Sequence, residues 1–247
     1  METMLFAQIF TPTILDGGKR AIGTAYPIAK GLILTDRHVL YPDSIDESKP
    51  REVVWPDCQF TSEVTDIVFD GDKDLDIAVV ACQTPPQVNS PIILTDRDPV
   101  ANEGWDSFGY PKAGKDGAKG IREKIPGKGT FFQPDANSHS LHLTSEGDAT
   151  TKKLWQGMSG APVFSRNPRQ LLAMITSTPE YLEERLYAVS ITYLLKTDAD
   201  FKKAVGYQAD AQIATSLLPE VKLGEDFKNS LSRSTHGSPG ARTCDVL

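Results

Sequence analysis

The strongest constraint on this chain is that its apolar residues come in short runs cut by turn residues. Gly31-Leu32-Ile33-Leu34, Glu52-Val53-Val54-Trp55, Ile77-Ala78-Val79-Val80, Ala161-Pro162-Val163-Phe164, Leu171 to Ile175 and Leu186 to Tyr193 are all of strand length and β-rich. Asp16-Gly17-Gly18, Tyr41-Pro42-Asp43 and Asp70-Gly71-Asp72 punctuate them. Many short strands with frequent turns predict an all-β sandwich or barrel. No regular alternation with helices appears, which argues against a parallel α/β sheet. The first good helix signal comes late: Thr197-Asp198-Ala199-Asp200 offers capping side chains ahead of Phe201, Ala204 and Val205. A second helical stretch is predicted from Ala209 to Leu218, stopped by Pro219. From Asn229 to Leu247 the sequence is rich in Ser, Thr, Gly, Pro and Arg and reads as a flexible tail or linker. The expected organisation is a β domain over 1–206 and a helical extension with tail over 207–247.

With 247 residues, there is room for one large all-β domain or two small domains sharing an interface. The net charge of −7 repels phosphate backbones, so no nucleic-acid partner is expected. No stretch approaches the roughly 20 apolar residues of a membrane span. The start, Met1-Glu2-Thr3-Met4-Leu5-Phe6-Ala7, lacks the basic n-region of a secretory signal. The three cysteines, Cys58, Cys82 and Cys244, are odd in number and widely spaced. They predict neither a disulfide framework nor a zinc site, and they favour a reducing, cytoplasmic setting.

Three segments carry chemistry jointly. In Gly31-Leu32-Ile33-Leu34-Thr35-Asp36-Arg37-His38-Val39-Leu40 an apolar strand delivers an imidazole just past its end. A general base needs that setting, rigidly held yet facing a cleft; alone, His38 reads equally as a hydrogen-bonded core histidine. In Asp74-Leu75-Asp76-Ile77-Ala78-Val79-Val80 a carboxylate directly precedes a wholly apolar strand. A residue drawn inward in this way needs a partner, and an imidazole N–H suits it. Asp72 and Asp74 read as exposed turn carboxylates. The spacing Asp70, Asp72, Asp74, Asp76 hints at a calcium loop. That reading fails, because Leu75 stands where a Gly is required and Ala81 where a bidentate Glu is required.

The third segment is Gln156-Gly157-Met158-Ser159-Gly160-Ala161-Pro162-Val163. Glycines flanking a serine allow a tight turn that presents the hydroxyl and aims the backbone N–H groups of Gly157 and Ser159 at one point, an oxyanion hole. A plain turn is the competing reading of the segment alone. Together the three specify far more than they do apart. The order His, Asp, Ser excludes the α/β-hydrolase order Ser, Asp, His and the subtilisin order Asp, His, Ser. Ala161, two residues after Ser159, also excludes the GxSxG elbow.

On these residues the chain resembles the chymotrypsin/trypsin-like serine protease superfamily, specifically its bacterial HtrA-like and trypsin-like peptidase branches. The matching residues are Thr35-Asp36-Arg37-His38-Val39, Asp76 to Val80 and Gly157 to Val163, over roughly residues 5–195. Met158 departs from the polar residue usual before the nucleophile, and Ala161 from the second glycine after it. The resemblance implies two antiparallel β-barrels with a catalytic triad of His38, Asp76 and Ser159 between them. It also implies a serine endopeptidase working through an acyl-enzyme, with no cofactor and no metal. The implied pocket walls include Thr176, Ser177 and Thr178, with Lys153 to Trp155 towards the base. Cleavage specificity stays open.

Such Gly-Met-Ser-Gly-Ala-Pro segments further resemble bacterial trypsin-like domains attached to, or encoded beside, sensing modules of defence systems. The expected partners are therefore a polypeptide substrate and a regulatory sensor protein or domain. The switch is expected in the Gly-rich loops 112–129 and 144–158. The basic residues Lys112, Lys115, Lys119, Arg122, Lys124 and Lys128 read either as a docking loop or as a solvated surface loop. His139 and His142, three apart, would face opposite sides of a strand and do not predict a shared metal. The alternative readings are an inactive protease homologue used as a binding scaffold, and an esterase on the same scaffold.

Overall fold

The computed structural model describes residues 6–12, 20–88, 94–111, 121–122, 124–132, 134–135, 137–145, 157–166, 169–177 and 185–208. One compact unit runs Met1–Tyr207. The expected helix at 209–218 and the tail from 229 lie outside the described residues.

Six strands close the first barrel: β1 (Ala7–Pro12), β2 (Arg20–Ala29), β3 (Leu32–Thr35), β4 (Glu52–Trp55), β5 (Phe60–Asp70) and β6 (Ala78–Cys82), ordered β1-β2-β3-β6-β5-β4. Six more close the second: β7 (Gly104–Gly109), β8 (Ile125–Phe132), β9 (Ser140–Ser145), β10 (Pro162–Ser165), β11 (Leu171–Ser177) and β12 (Arg185–Ser190), ordered β10-β11-β12-β9-β8-β7. The strand pairs within each barrel are antiparallel. Closure leaves neither sheet with an unpaired edge.

The wholly apolar strands are those with two buried faces. On β3, Ile33 joins Ile9, Val53, Trp55 and Val80 inside the first barrel, while the next residue, Leu34, faces a cluster shared by both barrels. On β6, Ala78 and Val80 point into the first barrel, and Val79 joins Leu34 in the shared cluster. On β11, Leu172 and Ile175 fill the second barrel beside Trp105 and Phe131, whereas Leu171 and Met174 face the shared cluster. On β3 and β6 period-two alternation therefore sends one residue to the barrel interior and the next to the joint between barrels, so no polar position is left; on β11 the register shifts against β10 and β12 break that alternation, and Leu172 and Ala173 both face the second barrel. Tyr26, Phe164 and Leu94 complete that joint, with the Tyr26 and Phe164 rings edge to face at 5.2 Å.

Three short α-helices, α1 (Arg37–Leu40), α2 (Ile191–Thr197) and α3 (Ala199–Ala204), and a 3-10 turn at Pro56–Cys58 complete the described elements. The expected cap is present on α3, where Asp198 Oδ1 accepts the Phe201 N–H at 2.8 Å. The apolar run Leu186 to Tyr193, read as one strand, is not one. β12 ends at Ser190, whose hydroxyl accepts the Tyr193 N–H at 3.1 Å and starts α2. Its apolar continuation is helical because Ile191, Leu194 and Leu195 recur at helical spacing on the shared cluster. The Gly-rich stretch 112–129, read as loop, is likewise strand from Ile125 onward. Gly127 and Gly129 pair with Ser107 and Trp105 of β7, and a Cβ on Gly129 would lie 1.7 Å from the Thr144 carbonyl oxygen. These glycines serve close strand packing rather than mobility.

Candidate active site

His38 and Asp76 come from neighbouring pieces of the first barrel. β3 and β6 pair with Thr35 opposite Ala78, which sets the residues after β3 beside those before β6. The turn before β6 is tied by Asp72, whose Oδ1 accepts the N–H groups of Asp74 at 3.0 Å and Leu75 at 2.8 Å. The Asp72 carbonyl accepts the Asp76 N–H at 3.0 Å. These bonds hold Asp76 at a φ of +49°, a conformation that Asp tolerates better than most residues. Its Oδ2 then lies 2.7 Å from His38 Nδ1, and its Oδ1 accepts the His38 backbone N–H at 2.9 Å. His38 is half exposed at 51%, Asp76 at 23%. The carboxylate fixes the ring with Nδ1 towards Asp76, which leaves Nε2 as the basic nitrogen.

Ser159 comes from the second barrel, in a turn closed by the Ala161 N–H donating to the Met158 carbonyl at 2.8 Å. Gly157 and Gly160 on either side have φ of +97° and +86°. A Cβ on Gly160 would stand 2.0 Å from the Thr24 carbonyl oxygen, so this position admits only glycine. Met158 is buried in the second barrel's core, which accounts for an apolar residue at that point of the segment. The Ser159 hydroxyl is half-buried and donates to the Thr176 carbonyl at 3.1 Å.

Thr24 of β2 joins the two halves, and nothing in the sequence singled it out. Its N–H donates to the Ser159 carbonyl at 2.8 Å, and its Oγ1 donates to the Gly157 carbonyl at 2.9 Å. Its carbonyl accepts the Thr35 hydroxyl at 2.9 Å. One buried threonine thus links β3, the strand that leads into His38, to the turn carrying Ser159. A threonine inside an apolar strand has no distinctive sequence signal, because its partners are far away along the chain.

The second residue missed is Asp36, fully buried with neither carboxyl oxygen hydrogen-bonded. Its Oδ2 lies 3.8 Å from His38 Nδ1. Burial, and then the negative charge of Asp76, push its carboxyl well above the usual carboxylate range, against the opposing pull of the facing Ser159 hydroxyl and Gly160 N–H. Asp36, His38 and Asp76 are the one cluster of metal-ligand type among the described residues. The His38 Nδ1 of that cluster is already held by Asp76.

Of the sequence-predicted pocket residues, Thr176 supplies the carbonyl that holds Ser159, and its own hydroxyl donates to the Tyr187 carbonyl at 3.5 Å. Ser177 ends β11. Lys153, Trp155 and Thr178 lie outside the described residues, as do 146–156 of the loop expected to switch. Asp72 and Asp74 are exposed. They border a cleft of about 420 Å³ together with His139 and Tyr193. His142 lies on β9 against the Tyr187 ring. Of the basic run, Lys124 pairs with Asp57, and the Arg122 N–H donates to Gln8 Oε1 at 3.1 Å, which fastens this end of the run to the barrels.

No protein-family model matches the chain, and no curated protein matches it in sequence. Solved structures do match. The Rv3671c protease of M. tuberculosis in its active form superposes with a TM-score of 0.60 at 17% identity, over 84% of this chain and 83% of that one. An inactive form of a mutant of the same protease gives 0.55 at 16% identity, over 80% and 86%. AL20, a thermostable serine protease from an extremophilic microorganism, gives 0.56 at 14% identity, over 82% and 97%. With its two closed six-stranded barrels, the chain has the fold of the chymotrypsin-like serine proteases.

Proposed function

We propose that this chain is a serine endopeptidase acting through His38, Asp76 and Ser159. The observation that carries the reading is the double hold of Asp76 on His38, set beside a serine on a glycine-flanked turn. In the proposed cycle Ser159 Oγ attacks the scissile carbonyl carbon as its proton passes to His38 Nε2. The backbone N–H groups of Gly157 and Ser159 bind the oxyanion. His38 then gives the proton to the leaving amine, which departs as the C–N bond breaks and leaves the acyl-enzyme. Water, deprotonated by His38, attacks the ester and regenerates Ser159. Asp76 keeps its charge throughout and stabilises the imidazolium.

The resting Ser159 hydroxyl donates to the Thr176 carbonyl, a bond it must release to pass its proton to His38. That resting arrangement fits an enzyme held inactive until switched; the reading extends the resemblance to an effector of the bacterial cytoplasm switched on by a partner or sensor. The same arrangement equally favours the second reading, an inactive homologue serving as a scaffold. A fluorophosphonate probe separates the two. Labelling that disappears in Ser159→Ala, with cleavage of a peptide library, supports the protease. No labelling, with or without the neighbouring gene products, supports the scaffold. Hydrolysis of small esters without peptide cleavage would mark an esterase instead.

A further inference from the structure

The least expected group in this site is Asp36. Its carboxyl is fully buried, and neither oxygen accepts a hydrogen bond of ordinary geometry. It lies within 4.8 Å of both His38 and Asp76 through one ligand-type atom of each. An ionised carboxylate in that position needs a close counter-charge or uncommitted donors, and the site offers it neither in good geometry. The cation nearest in sequence, Arg37, turns its Nε to Asp70 at 2.8 Å. The imidazole is claimed by Asp76. The two donors that face the carboxyl are committed elsewhere: the Ser159 hydroxyl to the Thr176 carbonyl, and the Gly160 N–H to the Ile175 carbonyl at 2.9 Å.

A neutral carboxylic acid removes each of these conflicts, because it carries its own donor. The acceptor that faces it is Ser159 Oγ, whose lone pairs are not used by the bond it donates to Thr176. We propose that Asp36 is a positioning residue of this site, carried as the neutral acid, whose O–H holds the Ser159 oxygen from the buried side while Asp76 holds His38. The resulting chain runs from the Asp36 O–H to Ser159 Oγ, and from the Ser159 O–H to the Thr176 carbonyl. Asp36 ties the serine and histidine sides of the site together without adding charge. The proposal rests on Ser159 being the nucleophile. The groups facing Asp36 are His38 from α1, Asp76 from the turn before β6, and Ser159 and Gly160 from the turn before β10.

Two measurements test it. The first is independent of activity: the full chain at neutral pH should show the infrared carbonyl stretch of a protonated carboxylic acid, lost in Asp36→Asn. If that band is missing, Asp36 is ionised and the proposal falls, whether or not the chain is a protease. The second follows kcat/KM against pH. Asp36→Asn keeps a neutral side chain that can donate, so the acid limb should stay where it is in the wild type and kcat should remain within about threefold. Asp36→Ala loses the donor, and kcat should drop about tenfold with KM unchanged, the scale of one hydrogen bond. A downward shift of the acid limb in Asp36→Asn would show that a negative charge had been removed from beside His38. Full activity of Asp36→Ala would reduce Asp36 to filler. Either result overturns the proposal.

Discussion

Asp76 grips His38 twice, at the ring nitrogen (2.7 Å to Nδ1) and at the backbone N–H (2.9 Å). The second bond fixes where the residue begins, the first where its ring points. Asp76→Asn retains the size of the side chain but presents an amide, which favours the wrong imidazole tautomer. On the proposed mechanism turnover should fall by about 10⁴-fold, the scale of this substitution in a Ser-His-Asp triad. Asp74→Asn should stay within about twofold of wild type, because Asp74 is an exposed residue of the same turn. Steady-state kinetics on a cleaved peptide would decide between them; a larger loss from Asp74→Asn would reassign the acid.

Gly160→Ala should be among the most damaging small substitutions. The new methyl would meet the Thr24 carbonyl at 2.0 Å and the residue would have to hold a φ of +86°. Overpacking and left-handed strain together should cost about 3 kcal/mol or more. Fluorophosphonate labelling should vanish with it, since Thr24 ties the Ser159 turn to β3. A variant that melts and labels like wild type would contradict the close approach of β2 to this turn.

Asp36 makes the stability depend on pH in an unusual direction. A carboxyl whose folded value is raised binds its proton more tightly folded than unfolded. As pH rises above the ordinary carboxylate value of about 4, the unfolded chain loses that proton while the folded chain keeps it, so folding becomes less favourable. Asp36→Asn removes the effect. Its melting temperature should match wild type near about pH 4 and exceed it as the pH rises above that. A gap that does not change with pH would mean that Asp36 titrates normally in the fold.

Cys58 and Cys82 are free thiols in the structure. Cys82 is buried on β6, and burial pushes its thiol up to about 11, so it should react with thiol reagents only on unfolding. Cys58 is half-buried and should react first. Cys244 lies outside the described residues. Under denaturing, non-reducing conditions three thiols are expected from the three cysteines. A count of one would reveal a disulfide.

Much of this architecture can be read along the chain because short strands announce themselves locally. The runs at β3, β4, β6, β10 and β11 are apolar or alternating over four to seven residues, and turn residues bound them. The long strand β5 is harder to see. Its outer face carries Thr61, Glu63, Thr65 and Asp66, its inner face is only half-buried, and its place comes from pairing with β4 and β6. The end of β12 at Ser190 was also obscure, since an apolar run continues as readily into a helix as into a strand. His38, Asp76 and Ser159 stand out in sequence because each lies where an apolar strand begins or ends, next to residues whose conformational needs are local.

What the sequence determined by itself is therefore the inventory: the strand runs, the glycines that permit the Ser159 turn, and the order of three polar residues at strand edges. Only the tertiary structure decided which polar groups meet. Thr24 and Asp36 look ordinary in sequence, because their significance lies in contacts across more than a hundred residues of chain. Thr24 became a hinge pin between barrels because closing both barrels left one strand able to reach the serine turn and the histidine strand at once. Asp36 became a buried acid because the same closure sealed it from water and set it beside Asp76. Burial and charge proximity depend on the packed chain, and no local pattern of residues encodes them.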